Sequence, residues 1–154
     1  MRSKDYQATI TAKVSAEEAI RRINQVSGWW TRGFKGTSST PGDHFTVRFG
    51  ETFVDFVIAE LQPGTRVVWE VTDCNLHWIT DKKEWKGTRV TWDLASKNGT
   101  TEIRMTHVGV HPGAECYDNC KQGWDFCVGK SLQKLLAEDV GLPDGDNASA
   151  RRSA

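Results

Sequence analysis

Residues 112–140 constrain this chain more than any other stretch. Apolar residues recur there at helical spacing, Tyr117, Trp124, Val128, Leu132 and Leu135, and predict one long helix with a broad, flat apolar side. The segment before it, 101–110, alternates instead, so Ile103, Met105 and His107 share one face of a predicted strand. A bulky amphipathic helix laid across an antiparallel sheet can enclose a space between the two layers. The chemistry of such a chain is expected inside the fold.

The rest of the chain supplies the partner sheet. Tyr6 to Val14 alternates, with Ala8, Ile10, Ala12 and Val14 on one face, and reads as an edge strand. Ser15-Ala-Glu-Glu18 has the form of a capping box, in which Ser15 accepts from the Glu18 backbone and the Glu18 carboxylate reaches back. The helix it opens carries Ala16, Ala19, Ile20 and Ile23 on one side, with Gly28 as its expected stop. Trp29, Trp30 and Phe34 follow, and then a Gly/Ser/Thr/Pro loop over 36–43. From His44 the period changes to two. Strands are predicted over 44–49 and 53–61, joined by Gly50-Glu51, then over 66–72, 88–96 and 101–110. Gln62-Pro63-Gly64-Thr65 and Lys97-Asn98-Gly99-Thr100 are turns, because Pro presets φ and Gly accepts positive φ. The segment 73–87 is ambiguous between a short strand and an aromatic lid formed by Leu76, Trp78, Ile79 and Trp85. The expected architecture is α+β: a curved antiparallel sheet of six to seven strands, two short helices after the first strand, and a long C-terminal helix. One domain spans 1–141, and 142–154 forms a flexible tail of low apolar content.

Twenty basic and twenty acidic residues cancel, which removes the positive field that drives nucleic-acid binding. No run approaches the roughly 20 apolar residues a spanning helix needs. The N-terminal residues lack the apolar core of a secretory signal, so a cytoplasmic location is expected. Cys74, Cys116, Cys120 and Cys127 form no CxxC pair and are expected as reduced thiols. Cys116 and Cys120 could chelate together near His111 and Glu115, but Cys127 is two turns further along; no metal site and no cofactor is expected. Small buried apolar residues are the simpler role for these thiols. Seven tryptophans in 154 residues point to an aromatic-walled interior or to dense ordinary packing.

Several segments together resemble a known family. They are Pro63-Gly64-Thr65-Arg66-Val67-Val68-Trp69, Gly87-Thr88-Arg89-Val90-Thr91-Trp92, Thr106-His107-Val108-Gly109, Gly123-Trp124 and Ser131-Leu132. From about Tyr6 to Gly141 the chain resembles the SRPBCC, or START-like, helix-grip superfamily that contains START domains, polyketide cyclases and birch-pollen-type allergens. Within it, the likeness is to bacterial proteins similar to the activator of the heat-shock-protein-90 ATPase. The resemblance implies a sheet gripping the C-terminal helix around an apolar cavity of the kind that holds lipids, sterols, polyketides or plant hormones. Some members are cyclases or hydrolases. The heat-shock activators carry an additional N-terminal domain not found in these residues, so a chaperone-activating role is not expected to transfer.

The residues expected to line such a cavity are Trp30, Phe45, Phe49, Phe56, Trp69, Trp92, Met105, His107, Cys120, Trp124 and Val128. The same rings could instead touch one another and fill the space. His107, desolvated beside Ile103 and Met105, is expected to be neutral and is a candidate acid–base group or a simply packed histidine. Asp55 points outward if Val54, Phe56 and Ile58 face in; a bulge would turn it inward and make it a second acid–base candidate. No GxSxG, HExxH, P-loop or GxGxxG motif is present. Three readings follow. The first is a binding module for a small apolar or aromatic molecule. The second is a cyclase-, lyase- or hydrolase-type enzyme using His107. The third is a ligand-free interaction module, monomer or homodimer, with Phe126 among its outward aromatics.

Overall fold

The computed structural model describes residues 5–49, 51–76, 79–80, 82–110 and 117–143. Seven antiparallel strands form one curved sheet: β1 (Tyr6–Ala12), β2 (Phe34–Gly36), β3 (His44–Phe49), β4 (Thr52–Gln62), β5 (Arg66–Asn75), β6 (Arg89–Lys97) and β7 (Thr100–Val108). Their order across the sheet is β1-β7-β6-β5-β4-β3-β2. Two register shifts in the β4–β5 ladder, at Asp55/Phe56 and Ile58/Glu60, bend these long strands. Alternation along the strands gives the sheet a buried face with Val54, Phe56 and Ile58 on β4, Val67, Trp69 and Val71 on β5, Val90, Trp92 and Leu94 on β6, and Ile103, Met105 and His107 on β7.

The turns follow their residue types. Thr65 N–H donates to the Gln62 carbonyl at 3.0 Å, closing the Pro63-Gly64 turn with Gly64 at φ +76°. Asn98 and Gly99 both take positive φ, 54° and 81°, which tightens the β6–β7 hairpin. The β3–β4 connection includes Gly50, which lies outside the described residues, but the ladder closes to Phe49 opposite Thr52.

Two short helices, α1 (Ala16–Asn24) and α2 (Val26–Trp29), connect β1 to β2 at the opposite edge of the sheet. Ser15 caps α1 by accepting from Glu18 N–H at 3.1 Å. The second half of the expected capping box does not form, because the Glu18 carboxylate is taken by Arg21 and Arg22 at 2.7 and 2.8 Å. Nor does Gly28 end α1. That helix stops at Asn24, where Gln25 turns away at ψ 63°, and Gly28 sits inside α2.

The C-terminal helix is described from Tyr117 as α3 (Tyr117–Phe126), a π-helical segment over Cys127–Leu132, and α4 (Gln133–Glu138). Residues four apart drift about 40° per step around an ideal α-helix. A π turn, with more residues per turn, drifts the other way and offsets this. Trp124, Val128, Leu132, Leu135 and Leu136 are accordingly all buried on one side. The helix also docks at the β1 edge, where Tyr6 donates to Asp125 at 2.5 Å and the Gln133 amide donates to the Thr11 carbonyl at 2.6 Å. Covering an edge strand in this way removes an aggregation-prone row of backbone groups.

Three further differences from expectation appear. β2 is a three-residue strand where only a connection was expected. β5 runs to Asn75; of the described residues that follow, 79–80 form a bend and 82–87 turns, with Leu76, Ile79 and Trp85 buried, while Trp78 lies outside the described residues. Leu142 and Pro143, assigned to the tail, belong to the body: Leu142 N–H donates to Ser131 Oγ at 2.7 Å and Pro143 is buried. Residues 144–154 lie outside the described residues. Among the described residues no helix is long and apolar enough to cross a membrane.

Candidate functional site

The buried face of the sheet, α2 and α3 meet in a continuous aromatic cluster. Trp30 stands at its middle, with ring centroids 4.8 Å from Trp124, 5.8 Å from Phe56 and 5.9 Å from Phe49. It also lies parallel to Trp69 at 6.5 Å. Trp69 meets Phe45 at 5.1 Å, Phe56 at 5.4 Å and Trp92 at 5.3 Å, each edge to face. These separations and tilts are favourable for the ring quadrupoles. Met105 lies opposite Trp92 on the neighbouring strand, and Val128 is fully buried on the helix side.

The fold therefore brings together Trp30, Phe45, Phe49, Phe56, Trp69, Trp92, Met105, Trp124 and Val128, and it does so with ring against ring. Cys120 falls within α3, but its side chain, like all of Cys116, His111 and Glu115, is outside the described residues. Cys127 is half-buried in the π segment. Phe126 is half-buried, and the exposed large hydrophobics among the described residues are Val108 and Val140.

Two tryptophans outside the expected lining residues join this cluster. Trp29 stacks on Trp30 at 5.7 Å, meets Trp92 at 5.6 Å, and donates its indole N–H to the Ile23 carbonyl at 3.0 Å. Trp85 stacks on Trp124 at 6.0 Å and meets His107 at 4.5 Å. The Trp29-Trp30 doublet was the available signal for the first. For Trp85 the signal was the possible aromatic lid over 73–87, a segment whose lack of periodicity left its placement open.

His107 is fully buried and tied at both ring nitrogens. Trp124 Nε1–H, which can only donate, gives its proton to His107 Nδ1 at 3.1 Å. Nδ1 must then be the bare nitrogen, so Nε2 carries the hydrogen and donates to Thr88 Oγ1 at 2.9 Å. Thr88 in turn donates to the Trp85 carbonyl at 2.6 Å. Burial pushes the imidazole pKa down to about 3, which keeps the ring neutral. This chain of bonds joins α3, β7 and the turn before β6.

Asp55 is elsewhere. With Val54, Phe56 and Ile58 buried, it projects from the other face, where Thr46 Oγ1 donates to its carboxylate at 2.5 Å. The adjacent register shift does not rotate it inward, so Asp55 and His107 lie on opposite faces of the sheet. Asp73 sits opposite it on β5 and accepts from Lys83 at 2.9 Å.

Two polar atoms in the aromatic cluster lack partners. The indole N–H groups of Trp69 and Trp92 are buried and meet no acceptor. Both side chains are 0% exposed. Two open hollows flank this layer, and the second shares Phe45 and Phe56 with the cluster. One, of about 500 Å³, runs between α1 and the β4–β5 turn, floored by Ile20, Phe34 and Leu61. The other, of about 800 Å³, lies by β2–β4 with His44, Arg48 and Asp55 in its lining.

Among solved structures, the chain is similar to the Aha1 dimer from Colwellia psychrerythraea (22% identity, TM-score 0.72, 88% of this chain and 97% of that one). DynU16, a protein of the dynemicin biosynthetic locus, is similar at 18% identity and TM-score 0.66, over 88% of this chain and 48% of its own. MLL2253 from Mesorhizobium loti is similar at 19% identity and TM-score 0.65, over 85% of this chain and 96% of its own. At these identities the likeness is one of fold. No curated protein matches the sequence. The family described as Activator of Hsp90 ATPase homolog 1-like protein matches residues 18–137. With most of its length so matched, the chain belongs to that family, within the SRPBCC superfamily.

Proposed function

We propose that this protein is a binding module for a small apolar or aromatic molecule, taken up between the sheet and the C-terminal helix. The observation that carries this reading is the aromatic cluster built around Trp30 and edged by the half-buried ring of Phe49. Trp30 closes a four-residue helix and keeps 6% exposure, while Trp69, Trp92 and Trp29 behind it have none. The rings fill the layer against one another. Swinging one indole outward would exchange ring–ring contacts for ring–ligand contacts of the same kind, with the ligand selecting the open state. A π segment facing this layer gives the covering helix an irregular stretch of the sort often found at functional sites.

The enzyme reading has less support. His107 has both nitrogens engaged, and Asp55 lies on the other face of the sheet. The interaction reading rested on outward aromatics, and Phe126 is half-buried. The similarity to an Aha1 that forms a dimer leaves self-association open to direct measurement by sedimentation.

The test is an NMR titration with naphthalene as an apolar probe. Shifts concentrated on Trp30, Trp69, Trp124 and Val128 are expected. Saturable shifts confined to Ile20 and Leu61, or to His44 and Arg48, would move binding to one of the open hollows and overturn the interior reading. No saturable shift anywhere would overturn it as well.

A further inference from the structure

We infer that the interior site selects molecules bearing a hydrogen-bond acceptor, a carbonyl or phenolate oxygen on a planar apolar frame, through the paired indole donors of Trp69 and Trp92. This rests on the interior binding proposed above and adds the chemistry of the ligand.

Trp69 on β5 and Trp92 on β6 are diagonal neighbours on the buried face, with ring centroids 5.3 Å apart and planes at 64°. Each carries one N–H and can only donate. Neither meets an acceptor among the described residues, although both side chains are fully buried. A buried donor left without a partner is destabilising, and native folds rarely keep one without a reason. Here two occur, on rings whose centroids lie 5.3 Å apart.

The other buried polar groups of this layer are already paired. His107 accepts from Trp124 and donates to Thr88. Ser131 donates to the Trp29 carbonyl at 2.5 Å and accepts from Leu142 N–H. Thr101 donates to the Val14 carbonyl at 2.6 Å. Trp29 and Trp124 have spent their own N–H groups on Ile23 and His107. The unused hydrogen-bonding capacity of these groups is thus the two indole donors. A ligand oxygen that accepts from one or both gains a bond in a dry setting. A hydrocarbon of the same shape leaves both donors bare, and a ligand N–H finds no free acceptor among these groups.

The experiment compares 9-fluorenone with fluorene, which share a planar frame and differ at one position, carbonyl against methylene. Binding is followed by the indole ¹H–¹⁵N resonances, with those of Trp69 and Trp92 identified by their loss in Trp69→Phe and Trp92→Phe. In the free protein these two resonances are expected upfield of the hydrogen-bonded indoles of Trp29 and Trp124. Fluorenone is expected to move at least one of them downfield and to bind about tenfold more tightly than fluorene, the difference one good hydrogen bond makes. The Phe variants are expected to bring the fluorenone-to-fluorene affinity ratio toward one, read as that ratio within each variant. Equal affinity for the two compounds without a downfield shift would overturn the donor pair and leave interior binding standing. Free-protein resonances already at hydrogen-bonded positions, held by a long-lived internal water that fluorenone does not displace, would also overturn it. Failure of both compounds to bind would overturn the interior site and this inference together.

Discussion

At the scale of the residue, His107 joins three elements. Its two bonds connect Trp124 of the covering helix to Thr88 and, through it, to the Trp85 carbonyl. The neutral ring is part of this arrangement, because a protonated Nδ1 could no longer accept from Trp124. The pKa is about 3 in the fold against an ordinary 6.5, so between these values the unfolded chain takes up a proton that the folded chain refuses. Stability is therefore lost as pH falls from about 6.5 toward 3. From pH 6.5 to 5 this single group accounts for about 2 kcal/mol. Urea unfolding at the two pH values checks this, and His107→Gln is expected to flatten the slope while lowering stability at pH 7 by about 1–3 kcal/mol. An unchanged slope in His107→Gln would mean that another group carries the dependence. The inward direction of His107 was legible in its alternation with Ile103 and Met105. Its partners were not, because Trp124 and Thr88 are brought to it only by the packing of helix on sheet.

At the scale of the element, the covering helix is held from both ends of its layer. Ser131, in the π segment, donates to the Trp29 carbonyl and accepts from Leu142, which clasps α2 and the returning chain to the helix. Gly141 passes so close that a Cβ there would stand 2.3 Å from the Gly28 carbonyl oxygen. Ser131→Ala is expected to cost about 1–3 kcal/mol in chemical denaturation, since it strips partners from buried backbone groups. Gly141→Ala is expected to cost a similar amount, about 1–3 kcal/mol, through overpacking. At the other side, Tyr6 donates to Asp125; burial pushes that carboxyl up, but hydrogen bonds from Lys121 and Tyr6 outweigh it and hold it below the ordinary value. Tyr6→Phe is expected to lower stability by about 1–2 kcal/mol and to speed amide exchange along β1. Elements with strong local grammar were legible: Pro63-Gly64 and Asn98-Gly99 fixed their turns, and alternation fixed the faces of β4 to β7. Elements decided by distant partners were not. β2 is too short to show a period and exists because β3 pairs with it. The π segment serves an alignment of Trp124, Val128 and Leu132 that only the sheet beneath makes useful.

At the scale of the whole molecule, the chain gathers Trp29, Trp30, Trp69, Trp85, Trp92 and Trp124 in one layer and leaves two of their donors unspent. Helix over curved sheet was legible because two periods, 3.6 and 2, meet at a single junction in the sequence. What the layer contains was legible only in part: the ring inventory is present, but whether rings face one another or a guest depends on the position of Trp30, which no local pattern encodes. Native mass spectrometry of the protein purified from its own host tests the central claim most directly. The account predicts one small molecule bound per chain, apolar in its frame and bearing an acceptor oxygen, that is lost or weakened in Trp69→Phe and Trp92→Phe. The bare chain alone, at every gentle condition under which the fold persists, would contradict it.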